Sequence, residues 1–191
     1  MARLTIRGIT IKRLKNLNTN KMANWKWDRS YDEDESFDWL MMRRGPIQKY
    51  FSPEVLKKNI DELERMRYQI IDISVSNWTN DNAHKRIREA FNFPDYYGEN
   101  RAAFRDCLDD KFDRKQNGLV IVLRHFDNLY LRDKSFSDDL LDDIVKVTWT
   151  WLLAGKKLIT MVQSEDPDFE IDKVGGFEPL WNGNEWANSA R

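Results

Sequence analysis

One segment near the middle of the chain carries acidic side chains at a spacing that suits the binding of basic groups. Asp106 is followed by Asp109 and Asp110 in a stretch that favours a helix from about residue 101 to 112. Positions three and four apart are neighbours on one side of a helix, so these three charges act together. Carboxylates presented in this way can form charge-assisted hydrogen bonds with arginine, lysine or histidine side chains of a basic partner.

Other patterns of reactive residues are missing from the sequence. It contains no Gly-x-Ser-x-Gly segment, no Gly-rich nucleotide loop and no pairing of cysteine with histidine. The single cysteine, Cys107, excludes an internal disulfide and a Cys-rich zinc site, and His84 and His125 are too far apart in sequence to predict a metal site. We expect Cys107 to be buried and His84 to lie at the surface. The sequence therefore predicts a protein that is not an enzyme and needs no cofactor.

The segments that must position the acidic side chains alternate between short apolar runs and helical patterns. Strands are predicted at 68–75, 119–123 and 158–162, and helices at 80–91, 101–112 and 137–155. Helical crossovers between short apolar strands indicate an α/β fold with a small three-stranded parallel sheet covered by helices. One shared core is expected to contain Phe104, Leu108, Ile121, Leu123, Ile144 and Ile159.

The last predicted helix has a candidate N-cap and an acidic start. Ser137 is the expected cap, and Gly155 is the expected stop. Four aspartates follow the cap closely: Asp138, Asp139, Asp142 and Asp143. We interpret them as stabilising the positive end of the helix dipole, with a second acidic contact patch as the alternative.

The two ends of the chain extend beyond this pattern. Residues 1–67 are predicted to form an N-terminal extension with short strands within 3–13, a short helix at 37–42 and an amphipathic helix at 53–66. Ser52 is the expected cap of the second helix. Proline at the next position suits the first turn of that helix. The remainder, 68–191, is predicted as one domain whose acidic C-terminal segment packs on the core as an edge strand and loop.

The net charge of −1 conceals an asymmetry along the chain. Residues 1–49 contain 11 Lys and Arg against 6 Asp and Glu, whereas residues 68–191 contain 16 against 22. A basic arm of this kind can contact nucleic acid, an acidic partner or the acidic part of its own fold. We favour the last, since charge runs are usually solvated faces.

Apolar residues never run long enough to suggest a membrane span or a secretory signal. No uninterrupted apolar run approaches 18 residues, and the first residues alternate between polar and apolar. With one cysteine and no disulfide, the expected compartment is the cytoplasm.

Residues 93–108 resemble the signature of the barstar family, small intracellular inhibitors of bacterial ribonucleases. The hallmark is a Pro-acid-Tyr-Tyr-Gly-Glu-Asn loop that opens a helix, and the matching positions are Pro94, Tyr96, Tyr97, Gly98, Glu99 and Asn100. The order of strands and helices also agrees with that family over about residues 68–163. The resemblance implies a barstar-like fold and a ribonuclease active site plugged by the loop and the helix after it.

The resemblance also implies which residues face the partner. Asp106 matches the principal phosphate mimic of the family, whereas Ala102 and Thr150 stand where the family has acids and Arg105 stands where it has a tryptophan. With Asp109 and Asp110 one turn beyond Asp106, an alternative is an acidic patch that lies further along the helix than in the family. The predicted partner-binding residues are Tyr96, Gly98, Asn100, Ala102, Arg105, Asp106, Asp109, Asp110 and Thr150.

Individual roles in the loop differ. Tyr96 is expected to contact the partner, Tyr97 to pack in the core, and Gly98 to adopt a backbone conformation that only glycine accepts easily. Asn100 is expected to cap the helix or to contact the partner, and both roles are compatible.

These expectations lead to one predicted function and one alternative. The first is a cytoplasmic immunity protein that binds and inhibits a bacterial nuclease toxin, of the ribonuclease class, by occluding its active site. The alternative is a non-inhibitory barstar-like binding module whose basic N-terminal arm contacts nucleic acid or another protein.

Overall fold

The computed structural model describes residues 36–111 and 113–185 of the 191-residue chain. The strands predicted within residues 3–13 lie outside the described residues. Within the two described ranges, no helix is both long enough and apolar enough to cross a membrane.

Helices and strands alternate along the described residues. Their bounds are α1 Phe37–Met42, β1 Ile47–Tyr50, α2 Pro53–Arg65, β2 Tyr68–Ser74, α3 Ala83–Phe91, α4 Arg101–Asp109, β3 Gly118–Arg124, α5 Phe126–Arg132, α6 Lys134–Leu153, β4 Lys157–Gln163, β5 Leu180–Trp181 and a 3-10 helix Gly183–Glu185. The predicted helix at 101–112 is therefore shorter than expected, and α5 and β1 were not predicted from the sequence.

The strands form one parallel sheet in the order β2-β3-β4-β1-β5. The prediction of an α/β fold with a parallel sheet covered by helices is confirmed, but the predicted number of three strands is wrong. The three predicted strands are β2, β3 and β4. β1 pairs with the outer side of β4, and β5 pairs with β1, so both extra strands extend the sheet from one edge. The division of the chain at residue 67 stays a prediction, although β1 and α2 belong to this sheet and its covering layer.

Helices cover both faces of the sheet, and the sheet separates two hydrophobic cores. Phe104, Leu108 and Ile144 pack with Ile121 and Leu123 on the face covered by α3, α4, α5 and α6. Ile159 instead packs with α1 and α2 on the opposite face, so the expectation of one shared core was wrong for this residue. The reason is the alternation of side chains along a strand, which sends neighbours in β4 to opposite faces.

β1 is fully buried although two of its four residues are polar. Lys49 is 2 % exposed, and its Nζ donates to the carbonyl oxygen of Phe169 at 2.8 Å and to the Glu170 carboxylate at 3.0 Å. The same ammonium lies 4.7 Å from the centre of the Trp181 ring. A buried charge is tolerated only when it is paired in this way. These contacts hold the C-terminal segment against the sheet, and β5 within it is the edge strand that the sequence predicted.

Helix starts follow their capping residues. Ser52 caps α2 as predicted, its Oγ accepting from the Val55 amide at 3.3 Å. α6 begins three residues earlier than predicted, because the Asp133 carboxylate accepts from the Phe136 amide at 3.0 Å. Ser137 therefore lies inside the helix, where its hydroxyl donates to the Asp133 carbonyl oxygen at 2.8 Å. The residue expected to cap α6 was thus assigned wrongly.

Candidate partner-binding face

The loop between α3 and α4 is held rigidly where it meets α4. Asn100 caps the helix as predicted: its Oδ1 accepts from the Ala103 amide at 3.0 Å. Its Nδ2 donates to the Gly98 carbonyl oxygen at 2.9 Å. One side chain thus connects the loop backbone to the first turn of α4, so the loop and the helix present a common surface.

Gly98 has little room for a side chain. Its φ lies outside the left-handed region, and it is Glu99 that takes a positive φ of 49°. The expectation of a conformation reserved for glycine was therefore wrong. A Cβ at Gly98 would lie 3.1 Å from the Asn100 Nδ2 and 3.4 Å from the Ala103 Cβ. A larger residue would press on the cap that orients α4.

The two tyrosines of the loop point in opposite directions. Tyr97 is buried as predicted, with its ring centre 5.1 Å from that of Phe93 and its hydroxyl 2.6 Å from the Nδ1 of His84. Burial raises the pKa of Tyr97 and lowers the pKa of His84. His84 is partly buried by this contact, so it is less exposed than the surface position that was expected. Tyr96 is 78 % exposed, which leaves its ring available to a partner.

α4 buries one side and exposes the other. Phe104, Cys107 and Leu108 are buried, and burial raises the pKa of the Cys107 thiol, as do the neighbouring aspartates to a smaller extent. The opposite side is exposed and contains Ala102, Asp106, Asp109 and Asp110. In the part of the chain that the structure describes, none of these three carboxylates has a hydrogen-bonding or ion-pair partner.

Arg105 is turned toward α6 by a buried carboxylate. Its guanidinium contacts Asp143 at 2.8 Å, and Arg101 contacts the same carboxylate through Nε at 2.8 Å and through NH2 at 3.1 Å. The Asp143 side chain is only 1 % exposed. Burial alone would raise the pKa of Asp143, but the hydrogen bonds from Arg101 and Arg105 outweigh it and hold the pKa below its ordinary value. Arg105 was predicted from the sequence to face the partner, and Asp143 was not identified as its ion-pair partner.

The remaining aspartates of α6 are also paired within the chain. Asp138 meets Lys134 at 2.5 Å, Asp139 meets Arg101 at 2.6 Å, and Asp142 meets Lys146 at 2.5 Å. Since α6 starts at residue 134, Asp142 and Asp143 lie beyond its first two turns. Their interpretation as partners of the helix dipole was wrong, because they pair with Arg and Lys side chains instead.

Thr150 is exposed on α6, the helix that packs along α4. Its hydroxyl lies 3.5 Å from the Lys146 carbonyl oxygen of the preceding turn. Two apolar side chains near it in the sequence are exposed: Trp149 is 45 % exposed, with its ring centre 5.5 Å from that of Phe177, and Leu153 is 87 % exposed. This end of α6 therefore exposes apolar side chains, with the half-exposed ammonium of Lys146 one turn before Thr150.

Asp143→Asn gives a test of the Arg101–Asp143–Arg105 contact that depends on pH. We expect the variant to be less stable at pH 7 by about 1–3 kcal/mol, since both arginines remain partly solvated. A carboxyl whose folded pKa is lowered stabilises the protein above its unfolded pKa, and the contribution disappears as the pH falls toward the folded pKa. The difference should therefore shrink below about pH 4.

Urea unfolding of both proteins at pH 7 and pH 3 measures this difference. Asp139→Asn is the matched control, because its carboxylate pairs with Arg101 while remaining 45 % exposed, and we expect a loss below about 1 kcal/mol at pH 7. A stability difference for Asp143→Asn that stays constant between the two pH values would contradict the assignment.

No three His, Cys, Asp or Glu side chains in residues 36–111 and 113–185 are grouped to hold a metal ion.

The middle of the chain matches the model of a known protein family. The model described as Barstar (barnase inhibitor) matches residues 68–163, which is half of the chain and extends from the start of β2 to the end of β4. Among curated proteins, no sequence matches the chain. The matched range contains the loop, α4 and α6, and leaves β1, α2 and β5 outside it.

Proposed function

Since this chain belongs to the barstar family, whose members are inhibitors rather than enzymes and bind a nuclease partner, we propose that it is an immunity protein for a bacterial nuclease toxin. The nuclease is of the ribonuclease class, and the chain inhibits it by occluding the active site. The segment that enters the active site is the loop and helix at residues 94–110. The place of action is the cytoplasm, which agrees with a single, buried cysteine.

The observation that carries the proposal is the contrast between the acidic residues of α4 and those of α6. The carboxylates of Asp106, Asp109 and Asp110 are exposed and have no partner within the described residues. The four aspartates of α6 are all paired with the chain's own cations. A row of uncompensated carboxylates on a rigid helix is complementary to a cleft lined by arginine, lysine and histidine, as a phosphodiester-binding cleft is.

The same face explains how an encounter would proceed. Like charges concentrated on one helix attract a basic partner and raise the association rate. Once docked, the carboxylates replace the phosphate oxygens, and the exposed ring of Tyr96 adds contact area at the loop. Ala102, near the start of α4, contributes no charge, so the acidic surface lies toward the C-terminal end of α4.

The test is inhibition by the full-length purified chain of ribonuclease toxin domains, starting with one encoded beside it. We expect saturable inhibition at a one-to-one ratio and a complex that survives gel filtration. Affinity should fall as salt rises, because charge pairs contribute to the association. The chain alone is incubated with RNA in parallel. A salt-dependent shift of RNA without inhibition of any ribonuclease would contradict the proposal and favour a nucleic-acid-binding module.

A further inference from the structure

A depression of about 540 Å³ opens between the loop and the C-terminal end of α4. It is lined by Asn92, Phe93, Pro94, Asp95, Tyr96, Cys107, Asp110 and Lys111. It therefore borders the partner-binding face at the end where the uncompensated carboxylates lie. Its volume is ample for one side chain of another protein.

Most charged groups in this depression already have partners within the chain. The Nζ of Lys111 donates to the Asn92 carbonyl oxygen at 3.2 Å and lies 5.9 Å from the centre of the Phe93 ring. Asp95 pairs with Arg88 at 2.9 Å. Asp110 differs from both, since its carboxylate has no partner among the described residues.

The walls of the depression therefore offer a partner two features. One is the carboxylate of Asp110, and the other is the ring of Tyr96, which is 78 % exposed. Since the carboxylate of Asp110 lacks a cation among the described residues, the depression does not suit an anion. A cation that can use an aromatic face and a carboxylate together fits both features.

We propose that this depression binds an arginine side chain of the partner protein. The guanidinium is planar, so it can lie against the Tyr96 ring while its N–H groups donate to Asp110. A lysine ammonium would use the carboxylate but gain less from the ring. The inference rests on the proposed function for the existence of a protein partner, and it adds a specific cation-binding subsite to the acidic face.

The experiment uses small probes in place of the partner, so that the subsite is tested by itself. Nα-acetyl-arginine amide is titrated into the isotope-labelled full-length chain and followed by amide NMR shifts. We expect saturating shifts at residues 93–96 and 107–111. The citrulline analogue has nearly the same shape without the charge, and we expect it to bind about tenfold more weakly.

Two variants distinguish specific binding in the depression from general electrostatic attraction to the acidic surface. Asp110→Asn should weaken the arginine probe about tenfold. The matched control is Asp113→Asn, which removes the same charge from a nearby exposed position that does not line the depression. We expect it to change affinity by about twofold at most in physiological salt.

Equal binding of the arginine and citrulline probes would overturn the proposed subsite, as would equal weakening by the two variants. Shifts located elsewhere on the surface would also overturn it. Because ribonuclease inhibition is measured separately, a chain that inhibits the enzyme but fails this titration loses the subsite alone. A chain that binds the arginine probe but inhibits no ribonuclease keeps the subsite and loses the proposed partner.

Discussion

Asp106→Ala is expected to weaken binding of the nuclease by roughly 2–5 kcal/mol, on the order of several hundredfold in affinity. Asp106 is exposed and has no partner among the described residues, so removing its carboxylate breaks no contact within them. In the complex, the cations that surrounded the carboxylate would be left buried and unpaired. Most of the loss should therefore be an increase in the dissociation rate, measured by surface plasmon resonance at fixed salt.

Glu64→Ala is the matched control for this substitution. Glu64 is an exposed helical acid on α2, which covers the opposite face of the sheet from α4. The control changes the net charge by the same amount, so it measures the contribution of long-range steering alone. We expect an affinity change of about twofold or less, mainly in the association rate.

The neighbouring aspartates determine where the centre of the contact lies. If Asp106 is the central residue, Asp109→Ala should cost less than Asp106→Ala. If the acidic patch has shifted toward the C-terminal end of α4 to offset Ala102, the ranking reverses. Affinity unchanged by either substitution, in proteins that still unfold cooperatively, would show that the partner binds elsewhere and would reject the phosphate-mimic mechanism.

The features that the sequence predicted are those that depend on residues close together in the chain. Ser52 and Asn100 cap their helices because a side-chain oxygen needs to reach only three residues along. The apolar runs of β2, β3 and β4 identify buried strands for the same local reason. The loop that precedes α4 was recognised because its composition is unusual over seven consecutive residues.

The features that it missed depend on partners far away in sequence. β1 reads Ile-Gln-Lys-Tyr, and Lys49 can be buried only because its ammonium meets the carbonyl of Phe169, 120 residues later. Arg105 was predicted to face the partner, but its guanidinium contacts Asp143, 38 residues later. The misplaced start of α6 is a local exception: Asp133 and Ser137 both suit a cap, and Asp133 is the residue that accepts from an amide three residues along.

Phe104→Ala is expected to destabilise the fold by about 3–5 kcal/mol, the usual cost of removing a fully buried phenylalanine. Its side chain is 2 % exposed and packs edge-on against Phe91 at 5.8 Å and against Phe93 at 6.1 Å between ring centres. The substitution leaves a cavity between α3, the loop and α4. Urea unfolding should show a lower midpoint with an unchanged slope, since the surface exposed on unfolding is nearly the same.

Tyr96→Ala is the matched control, because it removes a ring of similar size from a position that is 78 % exposed in the same loop. We expect its stability to stay within about 0.5 kcal/mol of the parent protein. The two substitutions should then separate the roles of the loop: Phe104 maintains the fold that orients α4, and Tyr96 contributes only to partner contact. A cost for Phe104→Ala below about 1 kcal/mol would show that α4 is not packed by this ring. The orientation of Asp106 toward solvent, which depends on that packing, would then need another explanation.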